Sequence, residues 1–351
     1  MNYSDVTILI LSYEPNDVLV RIAKEFKEAS FDVLIVNDGS KKEFDNIFEE
    51  TKKYAEVLSY KKNHGKGYAI RYGVNHLLTS KKEQKYVITV DGDGQHVFKD
   101  VVKVANKLKE TNEIVLATRI FKKDVPFRSK FGNMWSKFTQ TMVTDKYISD
   151  NQCGLRGFPL DKAEFLLAVP GNRYEYEMNV ISTIFMRDLS YEEVEIDAVY
   201  EKGNPTSHFS PFIDTCRIQG MLLIYGFAFF VALAIQFVFT GIFMNILNSL
   251  PFNFHPILVF LASFGFANYN SYLIFAGLNT VVYRPRRPYY HIIRCLYISI
   301  LEFMFIAPIT ILFSFVLPLH YALSFVIALL IALFPTYFIL RWINKLMKKF
   351  G

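Results

Sequence analysis

Two carboxylates one residue apart, Asp91 and Asp93, lie in the stretch Asp91-Gly92-Asp93-Gly94-Gln95 at the end of an apolar run. On a turn, such a pair faces one hard cation. Mg²⁺ and Mn²⁺ take oxygen ligands and share the phosphate oxygens of a substrate, and Gln95 offers a third oxygen. The glycines let the backbone turn and let a ligand come close. Asp-x-Asp is common in turns that bind nothing, so its weight rests on companions. Ser12-Tyr13-Glu14 and Asn37-Asp38-Gly39-Ser40 also follow apolar runs. Asp38 there suits hydrogen bonds from a base or ribose, or a plain turn and helix cap. Asn63-His64-Gly65-Lys66-Gly67 suits a phosphate or ribose. It lacks the leading glycine and the Ser/Thr of a Walker loop, and no dinucleotide G-x-G-x-x-G is present, which argues against P-loop ATP and NAD.

Further along, Asp150-Asn151-Gln152-Cys153-Gly154-Leu155-Arg156 is a polar cluster fit to line a sugar site. Arg119, Arg128 and Ser129 suit an acceptor phosphate, because guanidinium matches phosphate with paired donors. Lys202-Gly203-Asn204 with Ser207-His208 suits closure over a diphosphate, and His208 reads equally as a surface histidine.

The elements that must hold these groups follow from periodicity. Short β-branched runs at 6–11, 33–36, 57–60, 86–90 and 114–117 read as strands. Helical spacing occupies about 18–29, 42–54, 67–78 and 100–110. Alternation of this kind builds a Rossmann-like α/β domain with a mostly parallel sheet. Ligands bind beyond the carboxyl ends of such strands, where the polar clusters fall.

After Gly220 the character changes. Four apolar stretches, about 221–243, 256–278, 292–316 and 322–343, are long enough to cross a bilayer core of about 30 Å. The loop at 283–294 holds four arginines and the C-terminal end is basic, whereas the other two loops carry no charge. The basic ends put both termini and the soluble domain in the cytoplasm, at the plasma membrane, as a multi-pass protein. From Gly220 onward eight basic residues meet only Glu302, a net +7, and the remainder sums to −1. The overall +6 therefore belongs to the apolar half, a topology and lipid signal that argues against a nucleic-acid partner. Glu302, inside the third stretch, needs a partner such as Asn268, Asn270 or Asn279, or serves to move or hold a lipid-linked sugar. Phe131, Met134, Trp135, Phe138 and Met142 at helical spacing, with Arg128, Lys130 and Lys137, read as an interfacial amphipathic helix or as one packed on the sheet. Three scattered cysteines, Cys153, Cys216 and Cys295, fit reduced thiols rather than disulfides or zinc. No signal peptide opens the chain. The division expected is 1–206 catalytic, 207–220 juxtamembrane and 221–351 membrane.

Taken in order, Ser12-Tyr13-Glu14, Asn37-Asp38-Gly39-Ser40, Asn63-x-Gly65-Lys66-Gly67-x-Ala69, Asp91-x-Asp93-x-Gln95 and Asp150-x-Gln152-x-Gly154 resemble glycosyltransferase family 2. The subgroup most alike is the dolichyl- and polyprenyl-phosphate hexosyltransferases, and the likeness runs over about 6–209. The tail resembles GtrA-like membrane domains. The resemblance implies a GT-A fold, an inverting reaction, Mg²⁺ or Mn²⁺ on Asp91, Asp93 and Gln95, and a polyprenyl phosphate acceptor at the bilayer. It implies a nucleotide-diphosphate sugar held by Ser12, Tyr13, Glu14, Asp38, Asn63, Gly65, Lys66, Gly67, Asp91 and Lys202. Catalysis then falls to Asp93, Asp150 and Gln152. UDP-glucose is the donor expected first, because the Asp150–Gly154 stretch is similar to the glucosyl-phosphate branch. UDP-N-acetylglucosamine, UDP-galactose and GDP-mannose stay open, as do a homo-oligomer and a translocase role for the tail. Ser12, Pro15 and Asn151 depart from the usual pattern without removing a metal ligand. Arg341-Trp342 has Phe338 where processive members carry Gln, which disfavours polymer synthesis.

Overall fold

The computed structural model describes residues 2–80, 83–120, 146–197, 227–283, 288–317 and 323–332, with 134, 136–138, 140, 141, 144, 335 and 338 besides. Two compact units emerge. One comprises Met1–Lys137, Ser149–Ile184 and Ser190–Met221; the other comprises Phe138–Ile148, Phe185–Leu189 and Leu222–Gly351. The juxtamembrane segment expected at 207–220 lies outside the described residues.

The first unit is an α/β sheet assembled from β1 (Val6–Ser12), α1 (Val18–Glu28), β2 (Asp32–Asn37), α2 (Asp45–Thr51), β3 (Glu56–Ser59), α3 (Lys66–Thr79), β4 (Tyr86–Asp91), α4 (Phe98–Thr111) and β5 (Ile114–Ile120). The short β6 (Arg156–Pro159), α5 (Phe165–Ala168), α6 (Glu175–Met186) and β7 (Tyr191–Asp197) complete it. Strand order is β3-β2-β1-β4-β6-β5-β7. The sheet is mixed rather than uniformly parallel: β1, β2, β3 and β4 pair in parallel, as do β5 and β7, but β6 runs antiparallel to β4 and β5.

Local sequence explains these elements. β1 is buried at every position, as its unbroken apolar run requires of a strand covered on both faces. Leu19, Ile22, Ala23 and Phe26 repeat at helical spacing and are the buried face of α1. Val101, Val104, Ala105 and Leu108 do the same in α4, and both sets join one core with β1, β2 and β4. The order of strand addition reverses between the parallel β1 and β4, with β2 and β3 on one side and the later strands on the other. Such a switch point opens a crevice outside the carboxyl ends.

In the second unit, α7 (Phe227–Ser249) and α8 (Pro256–Tyr283) contain stretches, Val231–Ser249 and Pro256–Leu278, long and apolar enough to cross a membrane. Next come α9 (Pro288–Ile311), running into a π-helical turn at Leu312–Val316, and α10 (Leu323–Ala332). Among the described residues these last two hold only shorter apolar stretches, so two of the four expected spans meet the length criterion. The first expected span was 221–243; 221–226 lie outside the described residues, and the described helix runs from Phe227 to Ser249. Phe260, Phe264, Ile306, Ala307, Phe325 and Ala328 make this unit's core. A neutral polar chain crosses it: Gln236 Nε2 donates to Asn268 Oδ1 at 2.8 Å, and Asn268 Nδ2 donates to the carbonyl and hydroxyl of Ser299, each at 2.8 Å. The Glu302 side chain lies outside the described residues.

Candidate active site

The loops after β1, β2 and β4 are tied to one another by backbone. Asp38 N–H donates to Ser12 O at 2.9 Å and Gly92 N–H to Leu11 O at 3.0 Å. Ser40 Oγ accepts from Glu14 N–H at 2.9 Å, and Glu14 pairs with Lys41 at 3.0 Å. Ser12, Tyr13, Glu14, Asp38 and Asp91 therefore share one rim of the crevice.

Asp38 is buried, and its carboxylate is used inside the protein. It accepts from Tyr60 OH at 2.8 Å, Asn63 Nδ2 at 3.0 Å, His64 N–H at 2.8 Å and Gly65 N–H at 2.9 Å. The sequence pointed Asp38 at a base or ribose; the geometry gives its oxygens to the loop that precedes α3. Burial, followed by the Asp38 hydrogen bond, pushes the Tyr60 phenol well above its ordinary range. Gly65 begins α3 at φ 97°, in the left-handed region, and a Cβ there would fall 2.6 Å from Asn172 O and Arg173 Cγ. Only glycine fits. The next residue is Lys66, so the Asp38 hydrogen bonds set where the lysine starts.

Lys66 Nζ lies 2.7 Å from Asp91 Oδ1 and 2.9 Å from Glu177 Oε2. Burial alone would lower the ammonium, but Asp91 and Glu177 outweigh it and hold Lys66 above its ordinary value. Burial would likewise raise Asp91; Lys66 and then His96, whose Nε2 is 3.4 Å from Asp91 Oδ2, keep that carboxyl far below the usual range. Asp93 moves the other way, raised by burial and by the charge of Asp91. Gln95 N–H donates to Asp93 Oδ1 at 3.0 Å and shapes the turn. A carboxylate whose charge its neighbour Asp91 disfavours gains from a cation placed beside both, so the pair is a donor set that suits one. Among the described residues no three His, Cys, Asp or Glu side chains form a closed cage. An octahedral Mg²⁺ completed by substrate phosphate and water needs none.

Arg119 and Asp150 are also partners. Arg119 Nε and Nη2 donate to the two Asp150 oxygens at 2.6 and 3.1 Å, its N–H adds 3.2 Å, and Gln152 N–H adds 3.0 Å. Burial would raise Asp150, but Arg119 outweighs it and holds the carboxyl low. The Arg119 expected on an acceptor phosphate thus closes on the Asp150 expected in catalysis. Cys153 is buried and free, its thiol pushed up to about 12 by burial, which leaves it inert. Arg128, Ser129 and Lys202 lie outside the described residues, as do Phe131, Trp135 and Met142 of the amphipathic stretch. Sequence reading missed Glu177 and His96, and placed Arg156 in the cluster lining the sugar site. Arg156 donates to Cys153 O at 3.0 Å and to Glu177 O at 2.6 Å.

The chain has recognisable relatives among known proteins. The chain belongs to glycosyl transferase family 2, whose model matches residues 7–165, and its sheet is the GT-A-like mixed kind. It is similar to an uncharacterized protein of Methanocaldococcus jannaschii, 31% identical over 169 residues, 45% of this chain and 72% of that one. It is also similar to the UDP-N-acetylglucosamine–dolichyl-phosphate N-acetylglucosaminyltransferase of Methanococcus voltae, 26% identical over 56% of this chain and 86% of that one. Among solved structures, glucosyl-3-phosphoglycerate synthase of Mycobacterium tuberculosis, crystallised with Mn²⁺, UDP and phosphoglyceric acid, aligns over 63% of this chain and 78% of its own at 14% identity and a TM-score of 0.45. The protein is a glycosyltransferase.

Proposed function

We propose that the chain transfers a hexose from a nucleotide-diphosphate sugar to a polyprenyl phosphate at the cytoplasmic face of a membrane, with inversion. The observation that carries this is the pair Asp91 and Asp93 at the end of β4, beside the switch-point crevice and next to a buried ammonium. The name of the M. voltae relative supports the lipid phosphate, and the two long apolar helices support a membrane site for it.

In this reading Asp91 and Asp93, with Gln95, hold Mg²⁺ or Mn²⁺, which supplies charge neutralisation to the diphosphate leaving group. Lys66 brings a second cation to the same place. The Ser12–Glu14 loop and the Asp38-braced loop bound the nucleotide. An acceptor phosphate is ionised at neutral pH, so no strong base is required; orientation and electrostatics do the work. Asp150, fully engaged and held ionised, orders the edge of the sugar site through Arg119 rather than taking a proton. UDP-glucose is the first donor to test and UDP-N-acetylglucosamine the second. The catalytic division is 1–206, and 221–351 is a four-helix, GtrA-like domain with both chain ends cytoplasmic. A translocase role for those helices is the second reading, supported by the buried Gln236–Asn268–Ser299 chain.

The test is transfer of labelled hexose to undecaprenyl and dolichyl phosphate, with each of the four donors and saturating Mn²⁺. One donor should give lipid product in the wild type, and Asp93→Ala should lose about 10²–10³-fold of that rate. Wild-type turnover in Asp93→Ala would remove the metal site from the reading.

A further inference from the structure

Glu177 has no part in the reading above, yet it shares the best-placed cation in the site. It sits in the first turn of α6, where a helix N-terminus favours an acid. Its carbonyl is fixed by Arg156 Nη1 at 2.6 Å, so its position does not depend on Lys66. The Lys66 and Glu177 side chains are 15% and 13% exposed, against 30% for Asp91. Gly154 closes the remaining side. A Cβ there would stand 2.9 Å from both Asp91 Oδ2 and Lys66 Nζ, and 3.1 Å from Glu177 Oε1. The ammonium is thus confined between two carboxylates under a bare stretch of backbone.

A divalent cation on Asp91 changes the balance. It puts two positive charges beside the ammonium that now holds that carboxylate, and at close range in a half-buried site the repulsion is large. Lys66 has to give up Asp91 while staying near the diphosphate, and an ammonium left without a counter-ion there is costly. Resting on the reading of Asp91 as a metal ligand, we propose that Glu177 is a positioning residue, the second seat that retains Lys66 when a divalent cation takes Asp91. Lys66 then neutralises Asp91 before loading and is passed across to Glu177 on loading, with no new group recruited. Metal affinity becomes the outcome of an exchange between two cations.

The experiment is Mn²⁺ titration of the full-length protein in detergent, followed by the electron paramagnetic resonance signal of free Mn²⁺. The set is wild type, Asp91→Asn, Glu177→Gln, Lys66→Met and the Lys66→Met/Glu177→Gln double variant, each checked by circular dichroism. Glu177→Gln should weaken Mn²⁺ about tenfold, an ordinary coupling between neighbouring sites. Lys66→Met should bind Mn²⁺ more tightly than wild type. With Lys66 absent, Glu177→Gln should change affinity less than about twofold, because the two residues act as one unit. Equal effects of Glu177→Gln in both backgrounds, or none in either, would overturn the proposal, since a carboxylate acting only through its field does not need the lysine. Should Lys66→Met not fold, Lys66→Gln supplies the same background. If the wild type holds no Mn²⁺, or Asp91→Asn holds it undiminished, the metal site itself fails. If Asp91→Asn loses Mn²⁺ and the cycle is additive, the metal site stands and the second seat falls.

Discussion

The sheet unit carries its buried polarity as ions: Lys66 between Asp91 and Glu177, Arg119 on Asp150, and Asp38 ringed by donors. Among the described residues of α7 to α10 the buried side-chain contacts are neutral, Gln236 on Asn268 and Asn268 on Ser299. The difference follows the surroundings each set is built for. Ions at a crevice keep part of their hydration and exchange partners with a charged substrate. Inside a helix bundle read as membrane-embedded, a charge costs several kcal/mol more than an amide, whose hydrogen bonds are modest but sufficient.

Three substitutions sharpen that contrast. The largest effect belongs to Asp38→Ala, which removes the buried acceptor shared by Tyr60, Asn63, His64 and Gly65. It should cost about 3 kcal/mol and, by freeing the start of α3, also lower donor affinity. Thermal unfolding with and without UDP measures both, and an unchanged midpoint would show that the loop does not depend on the carboxylate. Asn268→Leu should cost only about 1 kcal/mol, read as a small shift in detergent unfolding, with UDP affinity unchanged. A loss as large as that of Asp38→Ala would erase the distinction between the units. Smallest is the pH effect of Arg119. Asp150 is held below its unfolded value, so its contribution is complete above about pH 3.9 and is lost as pH falls through the lower folded value. Between pH 5 and 8 this pair should therefore leave stability flat. Arg119→Met should move the onset of acid unfolding to higher pH, and an onset that does not move would show that Arg119 contributes nothing there.

Much of the sheet unit was legible because its signals are local. The apolar run before Asp91 had to be a buried strand, and the period of α1 and α4 gave their core faces. The ends of β1 and α4 came within one or two residues, Val6–Ser12 against an expected 6–11 and Phe98–Thr111 against 100–110, whereas α2 is Asp45–Thr51 against 42–54 and β5 runs on to Ile120 against 117. β6 left no such trace: Arg156–Pro159 is four residues with a glycine and a proline, and only its pairing between β4 and β5 makes it a strand. Glu177 was invisible for a related reason. It belongs to α6, remote in sequence from Lys66 and Asp91, and only the fold brings its carboxylate to them. Arg119 and Asp150 were each read as facing a ligand, because a sequence shows what a side chain offers and not which neighbour has taken it. In the helical unit composition alone gave the apolar lengths, and composition does not say where a helix starts.

Because β6 runs against β4 and β5, the chain leaves the carboxyl edge at Ile120 and re-enters it at Arg156, on the same side of the sheet. The described ends of this excursion stand on one rim, and the Arg119–Asp150 pair fastens them together. A change of length between those ends leaves every strand in register. Under the reading proposed above, acceptor contacts carried on that stretch can change while the ends of β1, β2 and β4 that face the donor stay fixed.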